Sequence, residues 1–170
     1  TLDGLADLGV KYKGFLYTGL MIVKNEPYLI EYNVRMGDPE CQTILPKLKT
    51  DFYEIIDACV NKTLDRTNIE WFNDKSICVV LCSKGYPDEY ENEIEIQNLE
   101  KINLKKNEFI FHAGTKSINR NIFSNGGRVL NFVIRSEEFK DGRDKIFELI
   151  QQLNWKGGFF RKDIGHKVID

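Results

Sequence analysis

The chain has 170 residues, 42% of them apolar, enough to bury a real core in one or two small domains. Its 24 Lys and Arg balance 26 Asp and Glu, so no global field of either sign draws in nucleic acid or an anionic membrane. No apolar run nears the ~20 residues that span a bilayer, and no basic stretch followed by an apolar one opens the chain, so a soluble, cytoplasmic protein is expected.

The chain starts at Thr1 inside what reads as an amphipathic helical turn, "TLDGLADLG", which suggests a piece of a longer protein. "GFLYTGLMIV" (14–23) and "YLIEYNV" (28–34) are β-forming runs joined by "KNEP", and the pair predicts a β-hairpin. Asp38 before Pro39 predicts an N-cap and first turn, opening a helix through "ECQTILPKL" that Pro46 ends or kinks. A second helix is expected over "TDFYEIIDACVNKTL", capped by Thr50 or Asp51, with Phe52, Ile55, Ile56, Cys59 and Val60 at helical spacing.

"DRTNIEWFNDK" is polar and turn-rich, and a domain boundary is placed there, giving domains 1–70 and 71–170. Beyond it come strand runs, "SICVVLCSKGYP", "EFIFHAGTKS" and "GRVLNFVIRS", then an amphipathic helix, "EEFKDGRDKIFELIQQL", and a glycine-rich tail, "WKGGFFRKDIGH". The fold class expected is α+β with mostly antiparallel strands. Cys41, Cys59, Cys78 and Cys82 lack zinc-site spacing and read as reduced, buried small hydrophobes.

The densest chemistry lies in "YLIEYNVRMGDPE" (28–40). Strand alternation projects Glu31, Asn33 and Arg35 to one face and Ile30, Tyr32 and Val34 to the other. Residues two apart on a strand are about 7 Å apart, so a carboxylate and an amide oxygen can converge on one hard cation. Magnesium accepts one or two such oxygens from protein and leaves the rest to water and phosphates. Arg35 could hold a phosphoryl group by a two-pronged contact. The alternative is an ordinary strand with its polar side in water. Gly37 favours the functional reading by permitting a sharp turn, and a helix after Pro39 would aim its free N–H groups at the site as an anion holder.

In this stretch, together with "GFLYTGLMIV", "CVVLCSKGYP", "FHAGTK", "NGGRVLNFV" and "GGFFRKDIGH", the chain resembles the glycinamide ribonucleotide synthetase (phosphoribosylamine-glycine ligase) family of the ATP-grasp superfamily, from end to end and in order. The resemblance implies an ATP-grasp end followed by a small α+β carboxy-terminal domain. It implies ligation of glycine to 5-phosphoribosylamine with ATP as co-substrate, giving glycinamide ribonucleotide, ADP and phosphate through a glycyl phosphate. It implies Glu31 and Asn33 as ligands of Mg2+ or Mn2+, Arg35 as the catalytic cation, and Gly37 and Asp38 on the substrate side. Partners are then the three small substrates and the family's amino-terminal part, with its lid and adenine-holding segments, which nothing in this chain resembles. Other readings left open are an ATP-grasp ligase with a different acceptor and a non-catalytic fragment that keeps the fold. Relatives of other kinds carry a further acid on the preceding strand; if the hairpin pairs simply, Leu20 lies opposite Glu31 and supplies none.

Other candidates each carry a plainer reading. "SNGGRVLN" offers Arg128 beside a Gly126–Gly127 turn as a phosphate holder, or only a tight turn joining two strands. His112 could approach a sugar phosphate, yet a histidine at a strand end is more often a structural hydrogen-bonder. His166, Lys116 and Arg161 are weaker candidates, and Trp71, Trp155, Phe159 and Phe160 suit core or interface packing.

Overall fold

In the computed structural model, which describes residues 1–169, the chain divides into two compact units: Thr1–Cys41 with Leu48–Phe72, and Gln42–Lys47 with 73–169. The first unit opens with the short helix α1 (Leu2–Asp7), followed by strands β1 (Tyr17–Val23) and β2 (Glu26–Asn33). These two pair antiparallel through a two-residue loop in which both Lys24 and Asn25 have positive φ, the backbone that matches the twist of a hairpin. A bulge between Gly19 and Leu20 shifts the register, so Gly19 faces Glu31 and Leu20 faces Leu29. The expected pairing of Leu20 with Glu31 counts back from a four-residue "KNEP" turn and fails because the loop is Lys24–Asn25 alone, with Glu26 and Pro27 already in β2; the bulge then sets Gly19 opposite Glu31.

Helix α2 (Glu40–Ile44) is only five residues and passes into a 3-10 turn at Leu45–Lys47. Helix α3 (Phe52–Asn61) is capped by Asp51, whose side chain accepts from the Tyr53 N–H at 2.8 Å, and it ends at Lys62 in the left-handed region. Phe15 stacks on Phe52 with ring centroids 5.7 Å apart. The expected packing face of β2 is not covered here: Ile30, Tyr32 and Val34 are 62%, 44% and 75% exposed.

The second unit is built on a four-stranded antiparallel sheet. Its strands are β3 (Lys75–Ser83), β4 (Glu108–His112), β7 (Arg128–Ser136) and β8 (Gly158–Phe159), in the order β4-β7-β3-β8, while β5 (Thr115–Ile118) and β6 (Asn121–Ser124) form a separate hairpin. Helix α4 (Phe139–Ile150) covers one face, and the chain reaches α5 (His166–Ile169) at its end. Ile77, Val79 and Leu81 of β3 share that face with Leu130, Phe132 and Ile134 of β7, and they meet Ile146, Leu149 and Ile150 of α4 in one buried cluster. Gly142 lets the helix come close, since a Cβ there would lie 2.9 Å from Ile77 Cγ2.

One expectation changes here. Strand β4 ends at His112, the strand-end place expected for that histidine, and the chain then leaves the main sheet and starts the small hairpin at Thr115. "SNGGR" is not a hairpin turn, because β6 and β7 lie in different sheets. The tight turn of this region is Asn119–Arg120, both with positive φ, between β5 and β6. Trp155 and Phe160 pack against the core, whereas Trp71 and Phe159 stay exposed.

Candidate functional site

The polar face of the β1–β2 hairpin is set by cross-strand pairing: Tyr17 stands opposite Asn33 and Gly19 opposite Glu31, so all four project from one side. Glu31 and Asn33 meet, with Asn33 Nδ2 donating to Glu31 Oε1 at 2.9 Å. Gly19 allows this, because a side chain there would bring its Cβ within 3.1 Å of Glu31 Cγ. The two head groups thus meet at one point at the end of β2.

Arg35 does not continue the row. Strand β2 stops at Asn33, and Arg35 lies beyond a bend, exposed, its Nη1 donating to the Met36 carbonyl at 2.9 Å. Gly37 is buried, Asp38 is exposed, and the Asp38–Pro39 peptide bond is cis. The Gly37 carbonyl accepts from the Cys41 N–H at 2.9 Å. The anion-holding helix terminus expected after Pro39 is not built: α2 has five residues, and a carboxylate of its own, from Glu40, folds back over Gly37. A Cβ on Gly37 would lie 2.1 Å from Glu40 Oε2, so this fold-back requires glycine.

Glu40 and Tyr17 were invisible as site residues in the sequence. The charge of the Glu40 carboxylate, with burial and Glu31 adding, holds the Tyr17 phenol above its ordinary pKa. A second acid therefore does approach the face that carries Glu31, from the turn after β2 and not from the strand before it. Burial pushes the Cys41 thiol up, with Asp38 adding; a protonated thiol in such surroundings packs and does not attack.

Arg128 lies in the second unit, as the first residue of β7 opposite Cys82. Burial pushes the Cys82 thiol up while the Arg128 guanidinium pulls it the other way. The backbone around Arg128 is tightly held: its carbonyl accepts from the Gly114 N–H at 2.9 Å, Asn125 N–H donates to the Gly114 carbonyl at 2.8 Å, and Ser83 Oγ donates to the Gly126 carbonyl at 2.8 Å. The "HAGT" and "NGGR" segments are thus one construction, fitted together through glycine. The remaining candidates have partners within the chain: His112 Nδ1 meets Thr115 Oγ1 at 2.9 Å, His166 Nδ1 meets the Asp163 carbonyl at 3.0 Å, Lys116 pairs with Glu93, and Arg161 pairs with Asp163.

A cavity of about 350 Å3 in the first unit is lined by Phe15, Ile55, Ile56, Cys59, Val60 and Leu64. It lacks convergent polar groups, and Lys13, which also lines it, donates its ammonium to the Val60 carbonyl. Among the described residues no helix is long and apolar enough to cross a membrane, and no three His, Cys, Asp or Glu side chains converge as a metal cage.

Known proteins match both parts of this arrangement. The family profile "Phosphoribosylglycinamide synthetase, C domain" matches residues 76–167, and "Phosphoribosylglycinamide synthetase, ATP-grasp (A) domain" matches residues 1–41. A phosphoribosylamine–glycine ligase of Caldanaerobacter subterraneus is 44% identical over 156 residues, covering 92% of this chain and 37% of that protein. A trifunctional purine biosynthetic protein adenosine-3 of Gallus gallus is 41% identical, covering 99% of this chain and 17% of that protein. The crystal structure of a phosphoribosylamine–glycine ligase from Thermotoga maritima superposes with a TM-score of 0.74 at 33% identity, over 95% of this chain and 39% of that one. The chain thus spans well under half the length of these relatives.

Proposed function

The chain belongs to the phosphoribosylglycinamide synthetase family, and from that premise we propose that it forms part of a ligase that joins glycine to 5-phosphoribosylamine at the expense of ATP. Glycine's carboxylate takes the terminal phosphoryl group of ATP, giving glycyl phosphate and ADP. The amine of phosphoribosylamine then attacks the acyl carbon and expels phosphate, leaving glycinamide ribonucleotide. The chain works with the further part of the ligase that its longer relatives carry, consistent with its covering 37% of one of them. Free thiols at Cys41, Cys59, Cys78 and Cys82 suit the reducing cytoplasm.

The observation that carries this reading is the Glu31–Asn33 pair. The two head groups meet, Asn33 Nδ2 at 2.9 Å from Glu31 Oε1; a Glu31 carboxylate oxygen and, with the amide turned, the Asn33 carbonyl oxygen would together hold a hard cation. Two protein oxygens, one from a carboxylate and one from an amide, suit Mg2+ or Mn2+ shared with a nucleotide. When bound there, the ion would offset phosphate charge as it builds up in transfer. Arg35, exposed beyond the bend, supplies a cation for the transferred group. Gly37 and Asp38 present the turn to the substrate, and Arg128 binds the sugar phosphate of phosphoribosylamine.

The test is product formation by the complete ligase with each substrate withheld in turn. Glycinamide ribonucleotide, ADP and phosphate should appear in equal amounts, and only with all three substrates present. The chain by itself should release no phosphate, since it supplies one wall of the site. Turnover with another amine in place of phosphoribosylamine, or full activity from residues 1–170 alone, would overturn the proposal.

A further inference from the structure

Tyr86 has no role in the proposed reaction, yet its ring lies against the backbone that carries Arg128. A Cβ added to Gly127 would stand 2.1 Å from Tyr86 Cδ2, 2.6 Å from Cε2 and 3.2 Å from Cγ, so glycine lets the ring settle on the chain one residue before Arg128. Ser83, fully buried at the end of β3, brings it there. The Ser83 N–H donates to the Gly127 carbonyl and its Oγ to the Gly126 carbonyl, each at 2.8 Å, while its own carbonyl accepts from the Tyr86 N–H at 3.1 Å and turns the chain back. Gly114 abuts the same segment, since a Cβ there would lie 2.9 Å from Gly126 Cα.

We infer, given the grip on the sugar phosphate proposed for Arg128, that Tyr86 is a positioning residue: with Ser83 it clamps Gly126–Gly127 and so fixes the point from which Arg128 reaches the substrate. Two successive glycines have no side chains by which to pack, and glycine has the widest backbone freedom of any residue. Without the ring, the segment would place Arg128 in several ways. Only the fraction of molecules with the cation correctly placed takes the ligand, and apparent affinity falls with that fraction. The contact with Gly127 is made by ring carbons, so the phenol oxygen is dispensable to it.

The test uses the complete ligase. Tyr86→Ala should raise the KM for phosphoribosylamine about tenfold, the factor expected when one molecule in about ten keeps Arg128 in place, and leave kcat and the KM values for ATP and glycine unchanged. Hydrogen exchange at the Ser83 amide, which reports the bond to Gly127, should accelerate by a similar factor. Tyr86→Phe keeps every ring carbon and should match the wild type in both readouts. Gly127→Ala puts a methyl group where the ring rests and should reproduce both changes; in the Tyr86→Ala background it should add nothing, because the methyl group then enters vacated space. Where Tyr86→Ala fails to fold, Tyr86→Phe and Gly127→Ala decide the matter. A raised KM in Tyr86→Phe, unchanged Ser83 exchange or unchanged KM in the alanine variants, equal changes for all three substrates, or multiplying effects in the double variant would each overturn the clamp. Ser83 exchange is read without substrate, so wild-type use of phosphoribosylamine by Arg128→Ala would strike the binding role proposed for Arg128 and leave the hold of Tyr86 on Gly127 to be judged by exchange.

Discussion

Gly114 is the point at which the two glycine-rich segments of the second unit can be tested as one construction. In Gly114→Ala the new Cβ would lie 2.7 Å from the Arg128 carbonyl oxygen, 2.9 Å from Gly126 Cα and 3.2 Å from the Asn125 carbonyl oxygen. All three are backbone atoms, so no side-chain rotation relieves the contact. The β4–β5 connection must move off the start of β7, loosening the bonds from Gly114 to Arg128 and from Asn125 to Gly114. Overpacking of this kind costs about 1–3 kcal/mol, and two weakened hydrogen bonds add about 0.5–1.5 kcal/mol each. Reduced freedom of the unfolded chain returns about 0.4–1 kcal/mol. The expected loss is about 3 kcal/mol, a fall in Tm of roughly 12–24 °C for a unit near this size. Urea and thermal melts followed by Trp155 fluorescence, in a Trp71→Phe background so that only the second unit reports, would measure it. A loss below about 1 kcal/mol would show that β7 yields to the methyl group and would refute the close-packed junction.

Glu31→Gln in the complete ligase should raise the magnesium concentration needed for half-maximal rate and leave Tm unchanged; a wild-type rate at low magnesium would remove Glu31 from the metal assignment. Arg128→Ala should weaken phosphoribosylamine use by about 10- to 150-fold, the loss of a charge-assisted contact of about 1.5–3 kcal/mol, with smaller effects on ATP and glycine. Equal effects on all three substrates in steady-state kinetics would return Arg128 to a structural role. Tyr32→Ala in this chain should cost less than about 2 kcal/mol, below the 3–5 kcal/mol of a buried aromatic truncation, because the ring is 44% exposed; a larger drop in a urea melt would mean that the hairpin face is covered.

The nearness of Glu31 and Asn33 was legible because alternation along one strand is local information. Tyr17 was not, since its link to Glu40 depends on how a turn folds back on a neighbouring strand, and nothing in "FLYTG" marks it. The bulge at Gly19 escaped for a similar reason: pairing register is decided between strands. The end of β4 at His112 was legible, but the change of sheet at Gly114 was not, since it follows from close backbone approach to Arg128. Arg120 hid the β5–β6 turn, as a positive φ is uncommon for arginine. The unbroken apolar run Leu20–Val23 suited a strand buried on both faces, yet these residues are exposed in this chain.

Six residues, Gln42–Lys47, belong with the second unit although sequence from the first lies on both sides of them. The boundary that looks single near residue 72 is therefore crossed three times by the backbone. Recombination at that point would give each descendant the wrong six residues: a second unit without its own segment, or a first unit carrying a stranger's. The two units are thus bound to a common inheritance, and a substitution in 42–47 must be accommodated by residues of the second unit. Because Gly37–Cys41 runs directly into that segment, the turn beside Glu31 and Asn33 is drawn into the same lineage, and its history should follow that of the second unit as closely as that of the first.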